Sequence, residues 1–221
     1  MDIGKMIETG KNVFKLLTGK SEEGYIPQKT PVVGSHAMPA APTAQDPALP
    51  RADVDLSPHF GLFELTKTNN AALQSKNRFL TDAQLKKARE LAALMEQIRT
   101  IMGCAIDVHS GYRCPDLNAA TAKAATKSQH MLFEACDWSP AGPDTVESIE
   151  AAFQKVLAAA KRGEIKFGQL IVEQANRGYS KSIWIHVSLG RPYRDPARCG
   201  EVLRMVEKDG EQVYTLIERL A

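Results

Sequence analysis

Residues 81–102 place apolar side chains at Leu85, Ala88, Leu91, Ala92, Met95, Ile98 and Ile101, the three-and-four spacing of one helix face, and this is the clearest helix in the chain. Thr81 or Asp82 can cap its start and Gly103 stops it. A second helical run spans 146–161, with Ile149, Phe153, Val156, Leu157 and Ala160 on its apolar face, Asp144 or Thr145 as cap, and Gly163 closing it. From there the period changes from helical to two. Residues 167–174, 182–189, 201–206 and 212–217 read as strands, the last two joined around Asp209-Gly210, a hairpin signal. Residues 105–110 alternate like an earlier strand ended by Gly111, and the Ala-rich stretch 116–126 reads as a short helix. Helices segregated from late strands predict an α+β fold, a small antiparallel sheet flanked by helices.

The segment before this domain has a different character. Ile3, Met6, Ile7, Val13, Phe14 and Leu17 fall close to helical spacing opposite charged residues, which predicts an amphipathic helix over 1–18. Such a short helix is marginal alone in water, so its stripe is expected to dock on its own domain, on a second copy or on another protein. Residues 19–55 carry Pro27, Pro31, Pro39, Pro42, Pro47 and Pro50 among Ala, Thr, Ser and Gly without periodicity, an extended linker. The folded domain is expected over 56–221, opening at Leu56-Ser57-Pro58, where Ser57 and Pro58 read as the start of a turn or short helix.

Composition excludes some functions. With 28 basic and 26 acidic residues, the charge balance gives no case for a nucleic-acid partner. No apolar run approaches the length of a membrane span. Asp2, Lys5, Glu8, Lys11 and Lys15 interrupt the N-terminal stretch, so it does not read as a secretion signal, and synthesis in a cytoplasm is expected. Cys104, Cys114, Cys136 and Cys199 show no Cys-x-x-Cys spacing. Reduced thiols are the default reading, with three pairings open if all four were oxidised.

Chemistry concentrates in two stretches, residues 128–137 and 184–188, which together offer His130, Asp137 and His186. Two histidines and a carboxylate are a ligand set that leaves zinc an open position. Strand alternation puts Ile183, Ile185, Val187 and Leu189 on one face and Trp184, His186 and Ser188 on the other, so His186 stands apart from the aliphatic side. The same test groups Glu173 with Gln169 and Ile171, away from Leu170 and Val172. Two readings of Asp137 stand on residues alone: a buried ligand, or a carboxylate capping the turn before Ser139-Pro140.

In order and spacing, Ser110-Gly111-Tyr112-Arg113, Leu117-Asn118, Ser128-Gln129-His130, Ala135 with Asp137, and Trp184-Ile185-His186-Val187-Ser188 resemble the zinc D-alanyl-D-alanine carboxypeptidase family, whose fold is also that of the hedgehog signalling domain. The resemblance runs from Leu56 to about Tyr214. It implies Zn2+ held by His130, Asp137 and His186, with Arg113 steadying a substrate carbonyl or carboxylate and Glu173 in the place of the catalytic glutamate. Ser128 and Gln129 would hold His130, and Ser110, Tyr112 and Trp184 would lie around the site. The implied activity is hydrolysis of peptidoglycan stem peptides or cross-bridges, by a carboxypeptidase or endopeptidase. With the N-terminal helix and linker, the expected setting is a phage lytic or virion-associated enzyme. A cytoplasmic peptidase for small D-amino-acid peptides fits the same site, and the competing class is a structural component that keeps the fold, with or without zinc, and has no turnover. Two departures from the family pattern bear on that choice. Phe133 replaces a usual glycine three residues after the first histidine, which would narrow the cleft, and Glu173 is separated from His186 by a longer segment than in better-known branches.

Overall fold

The computed structural model describes residues 48–177, 180–190 and 199–220. These belong to one unit, Gly34–Ala221. The other unit, Met1–Val33, lies outside the described residues, as do the expected helix at 1–18 and the linker through residue 47.

Pairing begins earlier than the sequence predicts. Strand β1 (Leu49–Pro50) runs antiparallel to β2 (Phe79–Leu80), and the Arg51 guanidinium donates to the Leu80 carbonyl at 3.0 Å and to Asp82 at 2.7 Å. Residues 48–55, expected as the end of the linker, are thus tied to the domain. Of the turn or short helix expected at Ser57, the structure forms a bend, in which the Ser57 hydroxyl and the His59 backbone N–H both donate to Glu96 at 2.8 Å. The chain turns helical only at α1 (Leu62–Leu65), followed by α2 (Ala71–Gln74).

Helix α3 (Asp82–Met102) starts where its capping signal stands: the Thr81 side chain accepts from the Gln84 N–H while the Gln84 side chain reaches back to the Thr81 N–H. It ends at Gly103, whose φ of 70° is the left-handed conformation that glycine adopts freely. β3 (Ile106–Ser110) follows, then α4 (Pro115–Ala120), which is shorter than the helix expected to 126. The Asn118 side chain caps the Ala125 carbonyl, and the chain loops rather than continuing helically. A single 3-10 turn, Gln129–Leu132, leads into β4 (Ala135–Pro140). α5 (Val146–Lys161) again carries a capping box, from Thr145 and Ser148. The last four strands are β5 (Gln169–Arg177), β6 (Ser180–Ser188), β7 (Glu201–Lys208) and β8 (Glu211–Arg219). Asp209 and Gly210, with φ of 53° and 80°, make the tight turn between the last two.

The main sheet has six strands in the order β3-β4-β6-β5-β7-β8. It is larger than the small antiparallel sheet expected, and it is mixed, because β7 lies parallel to β5. The reason is topological. β6 ends beside the start of β5, with Leu170 opposite Val187, and β7 begins on the far side of β5, with Glu201 opposite Gln169, so it must run in the direction of β5.

Alternation gives the sheet two unlike faces. Cys136, Trp138, Leu170, Val172, Ile183, Ile185, Val187 and Val202 join one continuous core with the buried sides of α3 and α5. Arg204, on the same side of β7, pairs with Glu150 of α5. Ala135, Ile171 and Met205 are buried as well but stand outside that core, on the opposite face. That second face carries the polar residues of the site.

Candidate metal centre

Asp137 of β4 and His186 of β6 are directly opposed in the register, so sheet pairing alone sets their side chains side by side. His130 arrives from the 3-10 turn before β4. Its N–H is held by the Ser128 hydroxyl at 3.3 Å, and the Gln129 carbonyl accepts the Glu134 N–H at 3.1 Å to close the turn into the strand. All three residues are buried, and their ligand atoms lie within 4.8 Å of one another. Asp137 Oδ1 is 3.3 Å from His130 Nε2 and 2.8 Å from His186 Nδ1.

The imidazole of His130 is oriented by a backbone group. Its Nδ1 lies 2.7 Å from the Gly111 carbonyl, which can only accept, so Nδ1 carries the proton and Nε2, on the side of Asp137 Oδ1, is the nitrogen that would ligate an ion. The resemblance had assigned this support to Ser128 and Gln129, but both act on the backbone of the turn. Gly111 was missed as a functional residue because its contribution is a carbonyl, which no side-chain pattern reports. A side chain is excluded there. A Cβ would stand 2.3 Å from the Leu65 carbonyl, to which the Tyr112 N–H donates at 2.7 Å.

Arg113 comes from the turn after β3. A bulge between Val108 and Ser110 shifts the register so that Ser110 faces Asp137 rather than the core. The Ser110 hydroxyl accepts from Arg113 Nε at 3.1 Å, and Arg113 Nη2 reaches Asp137 Oδ2 at 3.3 Å. Glu173, on β5, lies opposite Trp184, one strand beyond His186 and on the same face. The structure therefore brings Glu173 to the three clustered residues despite the intervening hairpin.

Charge and burial act together here. Burial opposes ionisation of Asp137, but the two neighbouring imidazoles outweigh it and hold the carboxyl well below the usual carboxylate range. Burial pushes the His130 pKa down, favouring the neutral form a metal requires. His186 moves up: burial works against this, but the hydrogen bond and charge of Asp137 prevail. Glu173 is pushed up to about 7, first by burial and then by the negative charge of Asp137, while His186, Arg113 and the Trp184 indole pull the other way.

Two residues from the motifs lie elsewhere. Tyr112, expected beside the site, is buried in the core, stacked on Phe133 with ring centroids 4.3 Å apart, and its hydroxyl accepts from Gln84 at 3.0 Å. Phe133 is fully buried against it, so it does not narrow the cleft. Of the other histidines, His59 pairs with Glu96 at 2.9 Å, His109 contacts the Ser139 hydroxyl at 2.8 Å, and His36 lies outside the described residues.

The donor set fits zinc. Nitrogen and oxygen donors about 2.0–2.2 Å from a tetrahedral ion stand about 3.3–3.6 Å apart, close to the His130–Asp137 separation. The His186–Asp137 contact is shorter, as a hydrogen bond should be, and ligation would release its proton. No helix among the described residues is long and apolar enough to cross a membrane.

No curated protein matches the chain. The sequence does match the family described as peptidase M15 over residues 58–171, just over half of the chain, a span that contains Arg113, His130 and Asp137 and stops before Glu173 and His186. With that match and the clustered histidines and aspartate, the chain belongs to the peptidase M15 family of metallopeptidases, relatives of the zinc D-alanyl-D-alanine carboxypeptidases.

Proposed function

We propose that this protein is a zinc peptidase that hydrolyses peptide bonds in the stem peptides or cross-bridges of peptidoglycan. The observation that carries the reading is the convergence of His130, Asp137 and His186 with Glu173 on one face of one sheet. His130, Asp137 and His186 would hold the ion. Zinc in such a site supplies Lewis acidity toward water and the amide carbonyl.

The chain's own groups supply the rest. Glu173, poised near neutrality, takes a proton from the attacking water and returns it to the leaving amine. The guanidinium of Arg113, fixed through Ser110 and Asp137, offers its remaining donors to the substrate carbonyl or a terminal carboxylate. Trp184 stands opposite Glu173 in the register, and its indole N–H donates to the Glu173 carboxylate. Phe133 was one of two features favouring a structural component without turnover, beside an ordered linker, and its burial in the core weighs against the Phe133 argument. A phage lytic or virion-associated setting, with the N-terminal helix docked on a partner, is part of the proposal and rests on residues 1–55 as sequence.

Zinc-loaded protein incubated with sacculi of several chemotypes should release new amino groups, as single amino acids from a carboxypeptidase and as larger fragments from an endopeptidase. Glu173→Gln should keep one zinc per chain and lose about 10²–10⁴-fold in rate. Release of nothing from any chemotype would sink the reading, and full activity in Glu173→Gln would move the base to another residue.

A further inference from the structure

Sheet pairing extends the site past Glu173. Glu173 lies opposite Trp184 on β6 and opposite Met205 on β7, and Met205 lies opposite Tyr214 on β8. Directly paired residues share a face, so Trp184, Glu173, Met205 and Tyr214 form one row across four strands, on the side that carries His186. Met205 is fully buried yet stands apart from the main core, so this part of the row is covered on the site's side of the sheet. Two residues further along β7 on the same face, Glu207 takes an ion pair at 2.6 Å from Lys123 of the loop after α4, which bounds the row.

Strands are spaced about 4.8 Å apart, so the backbone of Tyr214 is about 10 Å beyond that of Glu173 on the side away from His186 and Asp137. Tyr214 shares the face of Glu173, with Met205 between them in the row. Burial, and after it the negative charges of Glu173 and Asp137, push the Tyr214 phenol up, so it stays protonated and can donate a hydrogen bond.

We propose that Tyr214 is a substrate-binding residue, its hydroxyl donating to a peptide carbonyl that flanks the scissile bond on the β8 side. This rests on the reading of the site as a stem-peptide hydrolase. The reacting amide lies over the ligands and Glu173, and Tyr214 holds the next stretch of peptide across the β7–β8 hairpin. The β7–β8 hairpin lies beyond residue 171, where the family match ends.

The test uses the zinc-loaded full chain and two probes, D-alanyl-D-alanine and a stem pentapeptide. Tyr214→Phe removes only the hydroxyl. For the pentapeptide, KM should rise about five- to tenfold with kcat within about twofold, and the dipeptide, too short to reach β8, should be unaffected. An unchanged pentapeptide KM in an active enzyme would overturn the Tyr214 assignment and leave the function reading standing. Equal losses on both probes, as from a merely structural residue, would overturn it too. If the wild type hydrolyses neither probe, calorimetric binding of the pentapeptide to Glu173→Gln decides. A five- to tenfold weaker Kd on adding Tyr214→Phe supports the contact, an unchanged Kd refutes it, and no measurable binding refutes both it and the function reading.

Discussion

Phe133 sits at φ 52° and ψ 35°, a left-handed conformation that suits glycine and strains a bulky residue. It is the position where the family pattern usually has glycine, and the backbone shape explains why. This chain offsets the strain by burying the whole ring against Tyr112. The two effects can be weighed. Phe133→Gly relieves about 1 kcal/mol of backbone strain but loses about 3–5 kcal/mol of buried aromatic side chain, so it should destabilise the fold by about 2–4 kcal/mol. The shift in urea midpoint measures this. Zinc stoichiometry should be unchanged, because the His130 ring is held by Gly111 and not by Phe133.

Individual elements carry the next layer. The turn after β3 does three things at once: its bulge turns Ser110 toward Asp137, its Gly111 carbonyl orients His130, and its Arg113 reaches the second oxygen of Asp137. All of this depends on Gly111 packing against the Leu65 carbonyl. Gly111→Ala forces that contact apart and should weaken zinc binding about 10–100-fold, as measured by competition with a chromogenic chelator. At the near end of the domain, Glu96 of α3 clamps the bend at Ser57 and His59. Burial works against its ionisation, but the hydrogen bonds from His59 and Ser57 lower its pKa. A carboxyl lowered in the folded state adds stability that is fully present above its unfolded pKa of about 4.3 and is lost as pH falls through the folded value. Glu96→Gln should therefore cost under about 1 kcal/mol at pH 7, the solvent around this exposed pair screening it, and less in acid, which denaturant titrations at pH 7 and pH 3 will show.

At the scale of the whole molecule, a core on one sheet face supports a polar site on the other. The candidate ligands come from β4, β6 and the turn before β4, so they converge only once the sheet has formed. An ion bound by such a set favours the folded state. Zinc at about a thousandfold above its dissociation constant should add about 4 kcal/mol, or about 8–16 °C in Tm. Calorimetry with and without a chelator tests this, and His186→Ala should abolish the zinc-dependent part of the shift.

Much of this was legible in one dimension. The two long helices carry their own caps, and Thr81, Gln84 and Gly103 stop and start α3 by local hydrogen bonding and backbone preference. The facing of His186 and Glu173 follows from alternation, a property of a single strand. β4 was harder to read as a strand, because it is buried along most of its length and shows no contrast between its two sides. The parallel placement of β7, the shift of Ser110 at the bulge, the retreat of Tyr112 and Phe133 into the core, and the row ending at Tyr214 were decided only by the tertiary structure. Local residue preferences set which side of a strand a residue faces, but which strands become neighbours depends on contacts between residues far apart in the chain. Strand order is what carried the site from a histidine, aspartate and histidine pattern to a face of the sheet that extends to β8.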